Sequence, residues 1–301
     1  MTKAKRWIQE WFAPRWTQRS VALVLGLFTV AFFQPDISAN DDLKSASPDR
    51  VEVYKTIGGI SLRMHIFDEQ PEATKPRAAI VFFFGGGWVG GNPKQFFPHC
   101  RYLAQRGIVA MSAEYRVRSA HQTTPFECVK DGKSAVRWIR ANASRLGVDP
   151  KKIAAGGGSA GGHVAAATAT VPGLDEDKDP SLSSKPGALV LFNPVYDNGP
   201  DGYGHDRVKE RYYDISPMHN IREGIPPAIV FLGTKDKLIP VATAERFKRR
   251  MFEVGARSEL ILFEDQGHGF FNHGKNENRF FDETVEHMDR FLSSLGYLSP
   301  R

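Results

Sequence analysis

Residues 157–163 read Gly157-Gly158-Ser159-Ala160-Gly161-Gly162-His163, one serine among glycines directly after the apolar run Ile153-Ala154-Ala155. A G-x-S-x-G pattern has physical content. A serine on a sharp strand-to-helix turn sits in strained backbone angles that only small neighbours tolerate, and the strain lifts its hydroxyl clear of the sheet. Residues 160–171 are almost all Ala, Gly, Thr and Val, so a helix can begin at once and lie close against the strands. Its N-terminus directs partial positive charge at the serine. Glycine and serine are common residues, however, and so short a pattern also arises by chance. The rest of the chain has to supply the partners of Ser159.

Outward from that turn, apolar runs of strand length alternate with stretches of helical period. Residues 51–56 and 60–67, with Gly58-Gly59 between them, read as an antiparallel edge hairpin. Residues 78–84 (Ala-Ala-Ile-Val-Phe-Phe-Phe) are unbroken apolar sequence, as expected of a strand covered on both faces. A helix is predicted over 95–106, a strand over 108–113 and a long helix over 126–146, with Asp149-Pro150 turning into the strand before Ser159. Further strands are predicted at 188–192, 228–233 and 259–263, with helices at 241–254 and 282–295. Strands separated by helices imply an α/β fold: a mostly parallel central sheet of about eight strands with helices on both faces. In such sheets the chemistry gathers at the carboxyl ends of the strands.

A chain of 301 residues with 41% hydrophobic and 25% charged residues suits a globular enzyme with a single core. The formal charge is +6, but residues 1–39 carry half of it, and the +3 left over is too weak to indicate a nucleic-acid partner. Those first 39 residues read as targeting sequence. A basic stretch ending at Arg19 precedes 13 apolar residues, 21–33, whereas a membrane-spanning helix needs about 20. The length fits a secretory signal peptide with Ile37-Ser38-Ala39 at its cleavage site, and the expected destination is the periplasm or the exterior. The alternative is an uncleaved anchor over residues 20–33, which would be the only route to a membrane. A polar linker, 40–50, then leads to a catalytic domain over 51–299. Cys100 and Cys128, the two cysteines, are expected to be buried free thiols, because a core of this size needs no disulfide.

A serine hydroxyl is a poor nucleophile until a base takes its proton, so a histidine with a carboxylate behind it is required. His65, His99 and His287 fall inside predicted elements, and His163 is too close in sequence to reach the hydroxyl. His268 follows the last strand in Gln266-Gly267-His268-Gly269-Phe270, where glycines let the loop bend toward the site; His273 is its rival. The acid should lie just past a strand between serine and histidine. Asp236, three residues after 228–233, meets that requirement, whereas Asp265 is too near His268 and Asp197, Asp201 and Asp214 lie in a loop-rich stretch. The order Ser159, Asp236, His268 belongs to one particular fold. The run Gly85-Gly86-Gly87-Trp88 after the 78–84 strand can present backbone N–H groups to a developing oxyanion.

With these four elements in order, the chain resembles the α/β-hydrolase fold over residues 50–297. More narrowly, it resembles the esterases related to hormone-sensitive lipase and the bacterial acetyl or carbohydrate esterases. The resemblance rests on Phe84-Gly85-Gly86-Gly87-Trp88, Gly157-Gly158-Ser159-Ala160-Gly161-Gly162-His163, Gly233-Thr234-Lys235-Asp236 and Gly267-His268-Gly269-Phe270. It implies hydrolysis of a small-molecule or carbohydrate ester through an acyl-enzyme, with no metal or organic cofactor. Ser159, Asp236 and His268 would be the catalytic residues, and the N–H groups of Gly86, Gly87 and Ala160 the oxyanion hole. The family usually has histidine where this chain has Phe84, which cannot donate hydrogen bonds to steady the loop. The insertions at 196–225 and 172–186 are short, giving a small lid suited to a short acyl group, and Trp88, Phe270 and Phe271 are candidates for the substrate wall. Two other readings compete: a serine peptidase of the prolyl oligopeptidase type, which shares the residue order, and a non-catalytic binding protein on the same fold.

Overall fold

A computed structural model of the chain describes Leu43 and residues 46–176 and 181–300. The predicted signal segment, 1–39, lies outside the described residues. No helix among those described is long and apolar enough to cross a membrane.

Eight strands form one sheet: β1 (Arg50–Ile57), β2 (Ile60–Phe67), β3 (Arg77–Phe83), β4 (Val109–Ala113), β5 (Val148–Gly158), β6 (Ala188–Phe192), β7 (Ala228–Gly233) and β8 (Ser258–Phe263). Their order across the sheet is β1-β2-β4-β3-β5-β6-β7-β8. Strand β2 runs antiparallel to both β1 and β4, and every other pair is parallel. The larger helices are α1 (Phe97–Gln105), α2 (Pro125–Ala141), α3 (Ala160–Thr170), α4 (Val241–Glu253) and α5 (Arg279–Ser294).

The apolar run in β3 works as its composition requires. Ala79, Val81 and Phe83 enter the core on one face, with Val136 and Ile139 of α2, Val164 and Ala165 of α3, and Phe247 and Met251 of α4. Ala78, Ile80 and Phe82 enter the core on the other face, with Cys100 and Leu103 of α1 and Met288 and Leu292 of α5. Alternate side chains point to opposite faces of a strand, so a strand buried on both faces has no place for a polar residue. Both cysteines are buried free thiols.

Three boundaries differ from the sequence expectation. The helix predicted over 126–146 stops at Ala141, because the Asn142 side chain donates to the Trp138 carbonyl at 2.9 Å and competes with the helical ladder; one further turn, Ala143–Leu146, follows. Its start is set by Pro125 in the first turn and by the Glu127 carboxylate accepting the Thr124 N–H at 2.9 Å. Asp149-Pro150 does not precede β5 but lies inside it: Val148 pairs with Arg77 and pairing resumes at Ile153 with Ala79, so the proline occupies an irregular stretch between paired positions. The last helix begins at Arg279 rather than 282.

Candidate active site

Strands β5, β6, β7 and β8 all end on the same edge of the sheet, and the loops leaving them meet there. At the end of β5 the chain turns at Ser159 with φ 54° and ψ −121°, angles that cost about 1–3 kcal/mol for a residue with a side chain. The surroundings over-determine that conformation. The Ser159 N–H donates to the Phe192 carbonyl at 3.0 Å, and the Ser159 carbonyl accepts from His163 at 3.0 Å and from Val195 at 3.1 Å. The flanking glycines are required by space. A Cβ on Gly161 would stand 2.0 Å from the Phe83 carbonyl oxygen, and one on Gly157 would stand 2.5 Å from Gly161. Helix α3 therefore starts directly behind the serine, against the sheet backbone.

The loop after β7 carries Asp236, whose side chain is fully buried. Its Oδ1 accepts the N–H groups of Leu238 at 2.8 Å and Ile239 at 3.0 Å, and its Oδ2 accepts His268 Nδ1 at 2.7 Å. Burial alone would raise this carboxyl, but the His268 contact and the two N–H bonds outweigh it and hold Asp236 below the usual carboxylate range. With Nδ1 donating to the carboxylate, His268 Nε2 is an acceptor, as a general base must be. Ser159 and His268 line one cleft of about 650 Å³ together with residues 85–87, Asn193 and Phe271.

Asn193, just past β6, was not singled out in the sequence. Its Oδ1 accepts the Gly269 N–H at 2.8 Å, and its Nδ2 lies 3.4 Å from His268 Nε2. The backbone there has φ 33°, which asparagine tolerates better than most residues. Its place at the carboxyl end of a parallel strand was the signal that could have found it.

The Gly85-Gly86-Gly87 loop is steadied by means other than histidine. Phe84 is buried, its ring stacks on Tyr115 with centroids 4.2 Å apart, and its carbonyl accepts the Tyr115 hydroxyl at 2.6 Å. The next N–H, on Gly85, donates to Gln95 Oε1 at 2.7 Å; Gln95 Nε2 donates to Asn272 Oδ1 at 2.9 Å, and Asn272 Nδ2 to the Gly269 carbonyl at 2.8 Å. A chain of amides thus joins the glycine loop to the His268 loop. The Gly86 carbonyl accepts from Val89 at 3.0 Å and Gly90 at 3.2 Å, and the Gly87 carbonyl accepts from Arg207. The N–H groups of Gly86 and Gly87 find no acceptor among the described residues, and that of Ala160 belongs to the unsatisfied first turn of α3. None of these glutamine, asparagine and tyrosine contacts is written in local sequence.

Two expected substrate-wall residues lie elsewhere. Trp88 is buried, edge-on to His163 with centroids 5.0 Å apart, and does not border the cleft that holds Ser159. Phe270 packs on Phe263 at 4.7 Å inside the core, while Phe271, the next side chain, borders the cleft. Both rings enter the same core and meet edge-on at 6.1 Å, yet Phe271 alone reaches the cleft wall. His163 is buried with Nε2 3.1 Å from the Ile215 carbonyl, and burial lowers its pKa to about 4. His273 packs on Phe281 at 4.9 Å, and Asp265 pairs with Lys235 on the surface at 2.8 Å.

Residues 64–195 match the BD-FAE family, and residues 189–294 match the prolyl oligopeptidase family. Among solved structures, Thermogutta terrifontis esterase 2 phosphorylated by paraoxon superposes with a TM-score of 0.79. It is 44% identical, over 85% of this chain and 97% of that one. The chain belongs to the α/β-hydrolase serine esterases. The propionate-bound form of that esterase superposes with a TM-score of 0.80 at 43% identity, over 85% of this chain and 97% of the other. Among curated relatives of this esterase family, Esterase LipC of Mycobacterium tuberculosis is 32% identical over 65% of this chain and 54% of its own length. Isoprenylcysteine alpha-carbonyl methylesterase ICME of Arabidopsis thaliana is 26% identical over 64% and 50%. The chain thus spans about half the length of these curated relatives.

Proposed function

We propose that the chain is an exported serine carboxylesterase that hydrolyses short-chain esters, acetyl esters of carbohydrates in the favoured case. The observation that carries the reading is the Asp236–His268 pair, held at 2.7 Å in the same cleft as a serine with φ 54°. Ser159 Oγ attacks the ester carbonyl while His268 Nε2 takes its proton. The oxyanion that forms is held by the N–H groups of Gly86, Gly87 and Ala160. Collapse breaks the ester C–O bond, His268 returns the proton to the leaving alcohol, and the acyl group stays on Ser159. Water, deprotonated by His268, then attacks the acyl-serine and releases the carboxylic acid. The triad and backbone N–H groups supply every proton and charge these steps need, so no cofactor is invoked. The propionate- and butyrate-bound forms of Thermogutta terrifontis esterase 2 support the short acyl group.

A panel of p-nitrophenyl esters tests this. The best kcat/KM is expected at acetate to butyrate, with Ser159→Ala lowering kcat by about 10⁴-fold or more. A best substrate of eight carbons or longer would overturn the short-acyl reading. The prolyl oligopeptidase match over 189–294 favours a peptidase as the second reading, and turnover of peptide p-nitroanilides ahead of esters would establish it. The export reading predicts that residues 1–39 are missing from the mature protein in mass spectra; their presence would mark an uncleaved anchor.

A further inference from the structure

Two cations of the cleft take no part in the steps above. Arg207 projects from the 196–225 cap and is half-buried, with its guanidinium carbon 5.6 Å from the Trp88 ring centroid and 5.5 Å from that of Tyr203. Its one hydrogen-bond acceptor among the described residues is the Gly87 carbonyl, and no carboxylate there pairs with it. Lys275 also lines the cleft, from the loop that carries His268. Its ammonium stands 3.5 Å from where a Cβ on Gly269 would be, and it too lacks a carboxylate partner among the described residues. Several other basic groups are paired with carboxylates. Arg246 pairs with Asp197, Arg116 with Asp131 and Glu176, and exposed Lys235 with Asp265.

The residues lining the cleft include Arg207 and Lys275 but no aspartate or glutamate, and the polar remainder, such as Asn92, Gln95 and Asn272, is neutral. A concave, partly apolar wall holding two unpaired like charges focuses positive potential where substrate must enter. Holding a half-buried guanidinium without a counter-charge is unfavourable, and a ligand that supplies the charge relieves it. The reaction itself orients that ligand. His268 Nε2 must reach the leaving oxygen to return its proton, so the alcohol part of the ester lies on the His268 side, where Lys275 stands.

Resting on the esterase reading, we propose that the cleft selects esters whose alcohol part carries an anionic group, as an acetylated acidic sugar does, with Lys275 and Arg207 as the groups that recognise the charge. The two cations act on binding and steering, not on the bond broken.

The test compares kcat/KM for 4-acetoxybenzoate, anionic, with 4-acetoxybenzamide, neutral, using the full chain, and adds 4-acetoxybenzenesulfonate to separate carboxylate recognition from recognition of any anion. The ratio of anionic to neutral is expected to fall by about fivefold in Lys275→Gln, as an exposed charge pair allows. It should recover in Lys275→Arg, reverse its sense in Lys275→Glu, and shrink in high salt. Arg207→Gln should lower the same ratio. A ratio unmoved across the Lys275 series, with both esters hydrolysed, overturns the anion proposal and leaves the esterase reading intact. If neither ester is turned over faster than by Ser159→Ala, and p-nitrophenyl acetate likewise, the esterase reading itself falls.

Discussion

At the serine turn a Cβ on Gly161 would lie 2.0 Å from a backbone oxygen, while the 196–225 cap is held to the body of the domain by side chains, buried apolar ones such as Tyr196 stacked on Phe247 and a set of arginine contacts. Arg207 reaches the Gly87 carbonyl, Arg222 the Thr170 carbonyl, Arg250 the Met218 carbonyl at 2.7 Å, and Arg246 the Asp197 carboxylate. In the first region the fit is backbone on backbone, and no added atom is tolerated. In the second it is side chains on other side chains and on carbonyl groups, which other sequences can replace. The difference separates two properties. The serine turn is fixed by main-chain geometry, and the cap over the cleft is placed by exchangeable side chains.

The most severe test of that contrast is Gly161→Ala. Backbone on both sides cannot yield, so a loss of about 3 kcal/mol or more in urea denaturation is expected; a loss under about 1 kcal/mol would mean that the turn is no tighter than the cap. Next in size is an acid effect at the junction of the two regions. Burial lowers the His163 pKa to about 4 from its ordinary 6.5. Below pH 6.5 the unfolded chain binds a proton that the folded chain refuses, so stability is complete above pH 6.5 and is lost as pH falls toward 4. The full loss is about 3 kcal/mol, and about 2 kcal/mol of it is gone by pH 5. Melting curves at pH 7 and pH 5 should show His163→Gln losing much less between the two than the wild type; equal losses would remove His163 as the cause.

Asn193→Ala should lower kcat about tenfold with a smaller change in KM, because the amide that holds the Gly269 N–H beside the base is gone. An unchanged kcat would show that the histidine loop needs no such brace. Tyr115→Phe keeps the stack on Phe84 but deletes the 2.6 Å bond to its carbonyl, at an expected cost of about 1 kcal/mol in stability. The smallest effect belongs to the cap surface. Asp214 pairs with Arg211 at 3.0 Å between two exposed side chains, and Asp214→Asn should move stability by less than about 0.5 kcal/mol. A larger loss there would make the cap a stiffer element than its fastenings indicate.

Much of the architecture was legible because β3, β6, β7 and the second half of β5 are apolar or glycine runs bounded by polar or glycine loops, a pattern that buried parallel strands impose. Asp236 could be found because it follows the apolar run of β7, and His268 because it lies between glycines in the loop after β8, at the edge where loops converge. Trp88 and Phe270 were misplaced for an equally physical reason: which way a loop side chain faces depends on φ and ψ at that residue, and composition does not encode them. Asn193, Gln95, Asn272 and Tyr115 went unseen because their partners are distant in sequence; Gln95 and Asn272 are 177 residues apart. Phe84 looked like a weakness in the glycine loop and is instead its anchor, once Tyr115 is in view.

The amide chain from Gly85 through Gln95 and Asn272 to Gly269 makes the two loops one mechanical part. Anyone enlarging the cleft by lengthening either loop alone would drag on the other through that strut, pulling the glycine amides and the His268 ring out of register together. New specificities are therefore more readily grafted onto the parts of the cap away from Arg207, its one fastening on the glycine loop.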